Sequence, residues 1–397
     1  MTTSTFPRWE GDPTARFVRD LAELATPAWD ITVLAPHHPG ARTTERVGAL
    51  DVQRFAYFLP RSQQRLCYGG GILPNARSSV LAAAQLPALV FAEMSATRSA
   101  LRRTPYTLVH AHFLVPQGWV AAQVLRASRV PLVVSVHGSD LLALNGPLAR
   151  AVQRGALARA DLVTVNSEAT AHALAARFPH VLAPIITLPM GYDPAVFSAA
   201  GREAARRLGL LYVGRLSRQK GADVLVEAFA HVLTRVPDAT LTLVGDGPER
   251  PRLLALVRTL GLEPRITFLG ALAQEHLPRL YRESACTVVP SRADASGEEG
   301  QGLAAIEAMA CGCPVVASRS GGLTSLLDDD ARGLLVPPGD SGALAAALHS
   351  VLGDPASARR RALAAAQHVR AHFAWPALQP TLLATYDEAI RRRTARC

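Results

Sequence analysis

Two glutamates in the stretch Glu299-Gly-Gln-Gly-Leu-Ala-Ala-Ile-Glu307 bracket a glycine-broken turn and the start of a short apolar helix. The backbone amides that open such a helix carry unpaired N–H groups and partial positive charge, so they suit an anion. Ionised carboxylates only accept hydrogen bonds, which suits the hydroxyls of a ribose or hexose. Anion and hydroxyl recognition side by side is the chemistry a nucleotide sugar needs. Taken alone, the pair also fits a solvated helix cap, because such short spacings recur by chance. A hydrolytic pair is disfavoured: this much helix spans about 12 Å at ~1.5 Å per residue, against roughly 5–9.5 Å between hydrolytic carboxylates.

A second constellation, Leu211-Tyr-Val-Gly214-Arg215-Leu-Ser217-Arg218-Gln-Lys220-Gly221, joins a short apolar run to a helical one. Gly214 lets a ligand approach the backbone, and Arg215 and Lys220 supply charge to a departing phosphate. A basic surface loop is the plainer reading. Its place at the carboxyl end of a strand favours the functional one. Val136-His137-Gly138-Ser139-Asp140 occupies a similar place, where a histidine can meet a sugar hydroxyl. His110 and His112 end the preceding strand and, two residues apart, face the same side, so spacing does not separate them.

Other clusters carry less. Gly245-Asp246-Gly247-Pro248-Glu249 opens like a dinucleotide fingerprint but lacks the third glycine, and the glycines at 69–71 follow no strand. Neither supports a nicotinamide site. The acidic 328–330 triplet reads as a solvated turn, and no metal is implied. Five cysteines without repeating spacing imply no disulfide framework, and Cys311 and Cys313 read as small buried groups.

The elements that must position these residues alternate along the whole chain. Continuous apolar runs at 31–35, 108–112, 132–137, 162–166 and 185–188 predict buried parallel strands, with helices at 12–24, 117–127 and 168–178. The second half repeats the plan, with strands at 210–213, 241–244, 266–269, 287–290, 315–317 and 334–336 and a helix at 222–236. This rhythm predicts an α/β fold of doubly wound sheets. Eleven strands overfill a single twisted sheet, so two domains are expected, 1–193 and 194–374, with the break near 194–207. The last helical segment, 375–397, is taken to pack back on the first domain. Facing domains of this kind present strand carboxyl ends to one ligand.

With 49% hydrophobic and 19% charged residues the chain is globular, and its net charge of +10 suits phosphorylated or anionic partners. Scattered arginines and the absence of a reader module disfavour nucleic acid. No leader pattern is read at the start and no run reaches the length of a membrane span, so a cytoplasmic chain is expected. Segment 80–94, interrupted by Gln85 and Pro87, reads either as a core helix or as an amphipathic stretch lying on a membrane. In the second case Arg98, Arg102 and Arg103 follow it, and the chain sits at the inner face of the membrane.

Taken in order, the His-Gly-Ser-Asp run, the Gly-Arg-Leu-Ser-Arg-Gln-Lys-Gly loop, Val-Gly-Asp-Gly-Pro-Glu, Glu299 to Glu307 and Gly321-Gly322 resemble a family 4 retaining glycosyltransferase. The likeness covers nearly the whole chain. It implies the GT-B fold, two Rossmann-like domains facing across a cleft. By this resemblance Glu307 would hold the ribose, Glu299 the donor-sugar hydroxyls, and Arg215 and Lys220 the diphosphate. His137 would contact the donor sugar, Gly302 and Leu303 would offer amides, and Gly214 and Gly245 would lie on the nucleotide side. It also implies no metal and no cofactor beyond the donor, a UDP-sugar favoured over a GDP-sugar, with a glycan or lipid-linked acceptor. The segment 6–12, with one glycine, resembles a subgroup associated with bacterial cell-surface polysaccharide. Leu323-Thr324-Ser325 stands where relatives commonly carry Pro-Glu. Rival readings are a nucleotide-sugar epimerase, a glycosyl phosphorylase, or a non-catalytic sugar-nucleotide-binding subunit.

Overall fold

The computed structural model describes residues 1–12, 14, 16–69, 71–200, 209–294, 298–328 and 330–396. They form two compact units, Met1–Pro189 with Leu378–Cys397, and Met190–Ala377. Sequence reading placed the crossings at 193/194 and 374/375, and the shift has a local cause. Tyr192 bridges Ala374, and the Trp375 amide donates to the Tyr192 carbonyl at 3.1 Å. A Cβ on Gly191 would lie 2.6 Å from the Trp375 ring. Residues 190–192 and 373–375 therefore fold together inside the second unit. Part of the expected break at 194–207 lies outside the described residues.

The first unit carries β1 (Thr32–Pro36), β2 (Thr44–Val47), β3 (Leu50–Phe55), β4 (Val109–His112), β5 (Leu132–Val136), β6 (Leu162–Val165) and β7 (Ile185–Thr187). Two runs, β2-β3-β1 and β4-β5-β6-β7, are joined by the first residues of the chain, where Thr2 bridges both Leu34 and Ala111. β4, β5 and β6 are buried along their whole length, the habit of parallel strands covered on both faces. β2 went unread because its residues are polar and alternately exposed, as befits an antiparallel edge. β3, between β2 and β1, buries Leu50, Val52 and Phe55 but interrupts them with Asp51, Gln53 and Arg54, so it shows no continuous apolar run.

Two expected helices begin late. Phe17–Ala25 starts five residues beyond Asp12, whose carboxylate is drawn to the Arg8 amide and guanidinium instead of capping a helix. Trp119–Val124 starts after a wide turn, Leu114–Gly118, in which Val115 is extended. Segment 80–94 is the first part of a longer helical pair, Val80–Ala84 and Leu86–Arg103, meeting at the buried Gln85. Together these 24 residues are long and apolar enough to cross a membrane by length and composition, which corrects the shorter sequence reading. Leu89 and Glu93 nevertheless pack inward against the unit. From Leu378 the last helix, Trp375–Ala395, belongs to the first unit: Gln379 donates to the Leu24 carbonyl at 2.8 Å and Arg393 to the Ser128 carbonyl.

The second unit is a six-stranded parallel sheet of β8 (Gly209–Val213), β9 (Thr240–Val244), β10 (Ile266–Gly270), β11 (Cys286–Val289), β12 (Val315–Ser318) and β13 (Leu334–Val336). Their order is β10-β9-β8-β11-β12-β13, so the winding reverses between β8 and β11. One core face packs Leu225, Phe229, Leu241 and Leu348; the other packs Leu211, Tyr281, Ile306 and Met309. Each such side chain contributes roughly 1.5–3 kcal/mol by leaving water. Cys286, Cys311 and Cys313 are buried thiols within these layers.

Candidate active site

The reversal between β8 and β11 is where open α/β sheets bind ligands, beyond the carboxyl ends of the strands. Lys220 follows β8 and Glu299 follows β11, and they meet there with Nζ to Oε2 at 2.5 Å. Ser291 Oγ donates to the same oxygen at 2.8 Å, and the Gly302 amide donates to the carboxylate. Burial alone would push the Glu299 carboxyl up. The Lys220 charge and these donors outweigh it and hold Glu299 below the ordinary carboxylate range.

Close backbone packing brings the loops to this point. A Cβ on Gly221 would lie 1.9 Å from the Pro290 carbonyl, and one on Gly321 would lie 1.9 Å from the Glu299 carbonyl. Both glycines sit at positive φ, so any side chain there would be strained as well. On the other flank, a Cβ on Gly245 would meet the Gly214 carbonyl at 1.9 Å, and the Leu216 amide donates to the Asp246 carbonyl. Gly214, Arg215 and Gly245 thereby share one rim, with Arg215 exposed on it.

Helix Leu303–Ala310 starts at Gly302, whose left-handed backbone turns the chain, and carries Glu307 one and a half turns on. Glu307 is held from both sides: Tyr281 Oη donates to Oε2 at 2.9 Å and Gln274 Nε2 approaches Oε1 at 3.4 Å. Gln301, buried between Glu299 and Gly302, turns away from the rim. Its Oε1 accepts from the Met190 amide at 2.8 Å and its Nε2 donates to the Met190 carbonyl at 2.6 Å.

In the first unit His137 follows β5. Its ring packs against Phe17 and Phe113 at 5.0 and 4.7 Å and lies nearly parallel to His112 at 5.6 Å. Burial among these rings lowers its pKa to about 3, so the imidazole is neutral. Asp140 fixes the loop, accepting from the His137 amide at 2.9 Å and the Leu114 amide at 2.6 Å. Burial raises the Asp140 carboxyl to about 6, against the pull of these backbone donors. Phe113 pays a backbone cost at φ 77 in the same corner.

His110 and His112 stack at 4.3 Å, on one side of β4 as the alternation requires. They nonetheless differ: His110 is locked between Tyr386 Oη at 2.9 Å and Ser135 Oγ at 2.7 Å, while His112 Nδ1 faces His137 Nε2 at 3.4 Å. Of the residues expected from sequence, Gly214, Arg215, Lys220, Gly245, Glu299, Gly302, Leu303 and Glu307 all lie along the strand carboxyl ends of the second unit, and His137 at that edge of the first. The Gly302 amide, expected to face a ligand, instead donates to Glu299. Ser291, Gln274 and Tyr281 were not anticipated, because none sits in a motif and only the fold brings them to the carboxylates. Gln301 lies within the Glu299 to Glu307 stretch, but its clamp on Met190 shows only in the fold.

Comparison with known proteins follows the same division. Residues 14–196 match the model of Glycosyltransferase Family 4, and residues 198–368 match that of Glycosyl transferases group 1. D-inositol 3-phosphate glycosyltransferase of Kineococcus radiotolerans is 36% identical over 330 residues, covering 73% of each chain. The enzyme of that name from Nocardiopsis dassonvillei is 35% identical, covering 71% of this chain and 70% of its own. Among solved structures, sucrose-phosphate synthase from Thermosynechococcus elongatus is 28% identical with a TM-score of 0.78, covering 94% of this chain and 92% of its own. Anabaena HepE in complex with UDP-glucose is 22% identical with a TM-score of 0.71, covering 94% and 95%. The strand order, the loops at the sheet edge and these matches together make the chain a family 4 glycosyltransferase of the GT-B fold.

Proposed function

We propose that the chain moves a hexose from a nucleoside-diphosphate sugar, a uridine donor favoured over a guanosine one, to a hydroxyl of a glycan or lipid-linked acceptor. The transfer retains anomeric configuration, needs no metal, and serves surface polysaccharide or glycolipid synthesis at the inner face of the membrane. The Lys220–Glu299 pair at the sheet reversal carries this reading. An ammonium has three donors. One goes to Glu299, leaving the others able to meet phosphate oxygens while the carboxylate receives sugar hydroxyls. Glu307, fixed by Tyr281, suits the ribose diol. HepE was solved with UDP and with UDP-glucose, which supports the donor class.

In the proposed step the bond from the anomeric carbon to the phosphate oxygen breaks as the acceptor oxygen bonds on the same face, through an oxocarbenium-like state. The acceptor proton passes to the leaving phosphate oxygen, whose charge Arg215 and Lys220 stabilise. Neutral His137 contacts the donor sugar. The acceptor of the named relatives, an inositol 3-phosphate, favours a second reading in which a small phosphorylated polyol takes the sugar. Incubating the purified chain with UDP-hexoses and both acceptor types, with product configuration read by NMR, tests this. A retained α-linkage from a UDP-sugar is expected. Inverted product, or neither transfer nor donor hydrolysis, would overturn it.

A further inference from the structure

The first unit has a strongly one-sided stretch. Between 52 and 139 the sequence holds nine arginines and a single acidic residue, Glu93, which is buried. Most of the chain's excess of +10 lies here. The same stretch exposes large apolar side chains that the fold does not cover: Leu59 at 76%, Val80 at 88% and Phe91 at 74% exposure, with Leu81 and Leu86 less so.

These residues are neighbours by construction. Buried Gln85, at the joint of the two helices, donates to the Gln63 carbonyl at 2.8 Å and accepts from the Arg65 amide at 3.2 Å. The loop bearing Leu59, Arg61 and Arg65 is thereby seated beside Val80, Leu81 and Leu86. Helix Leu86–Arg103 buries Leu89, Glu93, Thr97 and Ala100 on one face. Its opposite stripe runs 87, 91, 95, 98, 102, so Phe91 is in line with Arg98 and Arg102, the latter about 16 Å further along at ~1.5 Å per residue. Arg77, in helix Ile72–Ser78, donates to the Ala143 carbonyl, which places the patch beside the loop that follows His137.

We propose that this face docks the first unit on an anionic bilayer, with Val80, Leu81, Leu86 and Phe91 in the headgroup–acyl boundary. Arg61, Arg65 and Arg98 would contact lipid phosphates. The inference rests on the reading of a lipid-linked acceptor and gives that acceptor a location. Apolar insertion and cationic attraction are the two signals that stable peripheral binding requires, and neither alone suffices. The excess of nine arginines over one buried carboxylate matches the negative surface of an anionic leaflet, which attracts basic segments beside an inserted apolar face.

The test is co-sedimentation of the full chain with phosphatidylcholine vesicles, with and without phosphatidylglycerol. Binding to the anionic vesicles only is expected, weakened by added salt. Val80→Asp with Phe91→Asp should lower the partition coefficient at least tenfold, and Arg61→Ala with Arg65→Ala about thirtyfold, from the ~1 kcal/mol each basic residue contributes near such a surface. All four positions are exposed, and the UDP-induced shift in Tm, measured on the same samples, should stay unchanged. A chain that stays in the supernatant with anionic vesicles while still shifting with UDP would overturn the docking surface alone. So would a self-association in solution that the Asp variants abolish, which would give the face to a second copy. Vesicle binding without any UDP response would instead sink the transferase reading.

Discussion

Replacing Lys220 by Ala separates the work of the Lys220–Glu299 pair from that of its parts. The Glu299 side chain is 8% exposed and the Lys220 side chain 30%. Breaking a buried pair by deleting one partner costs roughly 3–5 kcal/mol, because a buried charge is left behind. Water can enter the space left by Lys220, and Ser291 and the Gly302 amide still donate, so about 3 kcal/mol is expected, at the low end of that range. The pH dependence follows from the sign. The folded Glu299 carboxyl is depressed, so its stabilisation is fully present above the unfolded value of about 4.3 and lost as pH falls through the folded one. Thermal unfolding of wild type and Lys220→Ala should therefore differ most near pH ~7.5, with the difference narrowing toward pH ~4 and closing only below it. The double variant Lys220→Met with Glu299→Gln should recover stability to within about 1 kcal/mol of wild type, since both charges go together, while transfer stays abolished. Turnover should fall more than donor affinity, as for a cation that meets developing charge. A loss that is the same at both pH values, or single effects that simply add in the double variant, would refute the coupling.

Three further outcomes are expected. Glu93, buried opposite Gln117, has its carboxyl raised to about 8 by burial, so its stabilising neutral form is complete below pH ~4.3 and lost as pH rises through ~8. Glu93→Gln should thus match wild type near pH ~4.5 and exceed it by on the order of 3 kcal/mol near pH ~9, read by denaturant unfolding; a pH-independent difference would contradict this. Gln301→Ala removes two hydrogen bonds to Met190, worth about 2 kcal/mol together. It should speed hydrogen exchange at the Met190 amide and raise the donor KM more than it lowers kcat, and unchanged exchange would exclude the clamp. Tyr281→Phe removes the 2.9 Å hydrogen bond that fixes Glu307 and should weaken UDP binding about fivefold by calorimetry, for ~1 kcal/mol lost; unaltered affinity would show that Tyr281 does not hold Glu307 for the ribose.

Much of this was legible in the residues. Parallel strands buried on both faces announce themselves as continuous apolar runs, so β4 through β6 and the sheet of the second unit were read nearly to the residue. The β2–β3 hairpin was not, because β2 is a polar edge strand and the buried Leu50, Val52 and Phe55 of β3 are interrupted by Asp51, Gln53 and Arg54, leaving no continuous apolar run to see. Asp12 opens the run expected to be helical at 12–24, and only the folded loop shows Arg8 capturing its carboxylate. At the site, Lys220 and Glu299 were each chosen for chemistry, yet their pairing spans 79 residues and depends on β8 lying next to β11. Gln301 shows the same limit, since a glutamine between glycines carries no signal until Met190 is brought against it.

The most direct test of a nucleotide-sugar site in the second unit is calorimetric titration of UDP into the full chain, repeated with EDTA and with Glu307→Gln. Saturable one-to-one binding is expected, unchanged by EDTA and weakened about tenfold in Glu307→Gln, the ~1.4 kcal/mol of a lost charge-assisted hydrogen bond. No heat from UDP, GDP or ADP, or equal affinity in Glu307→Gln, would contradict it.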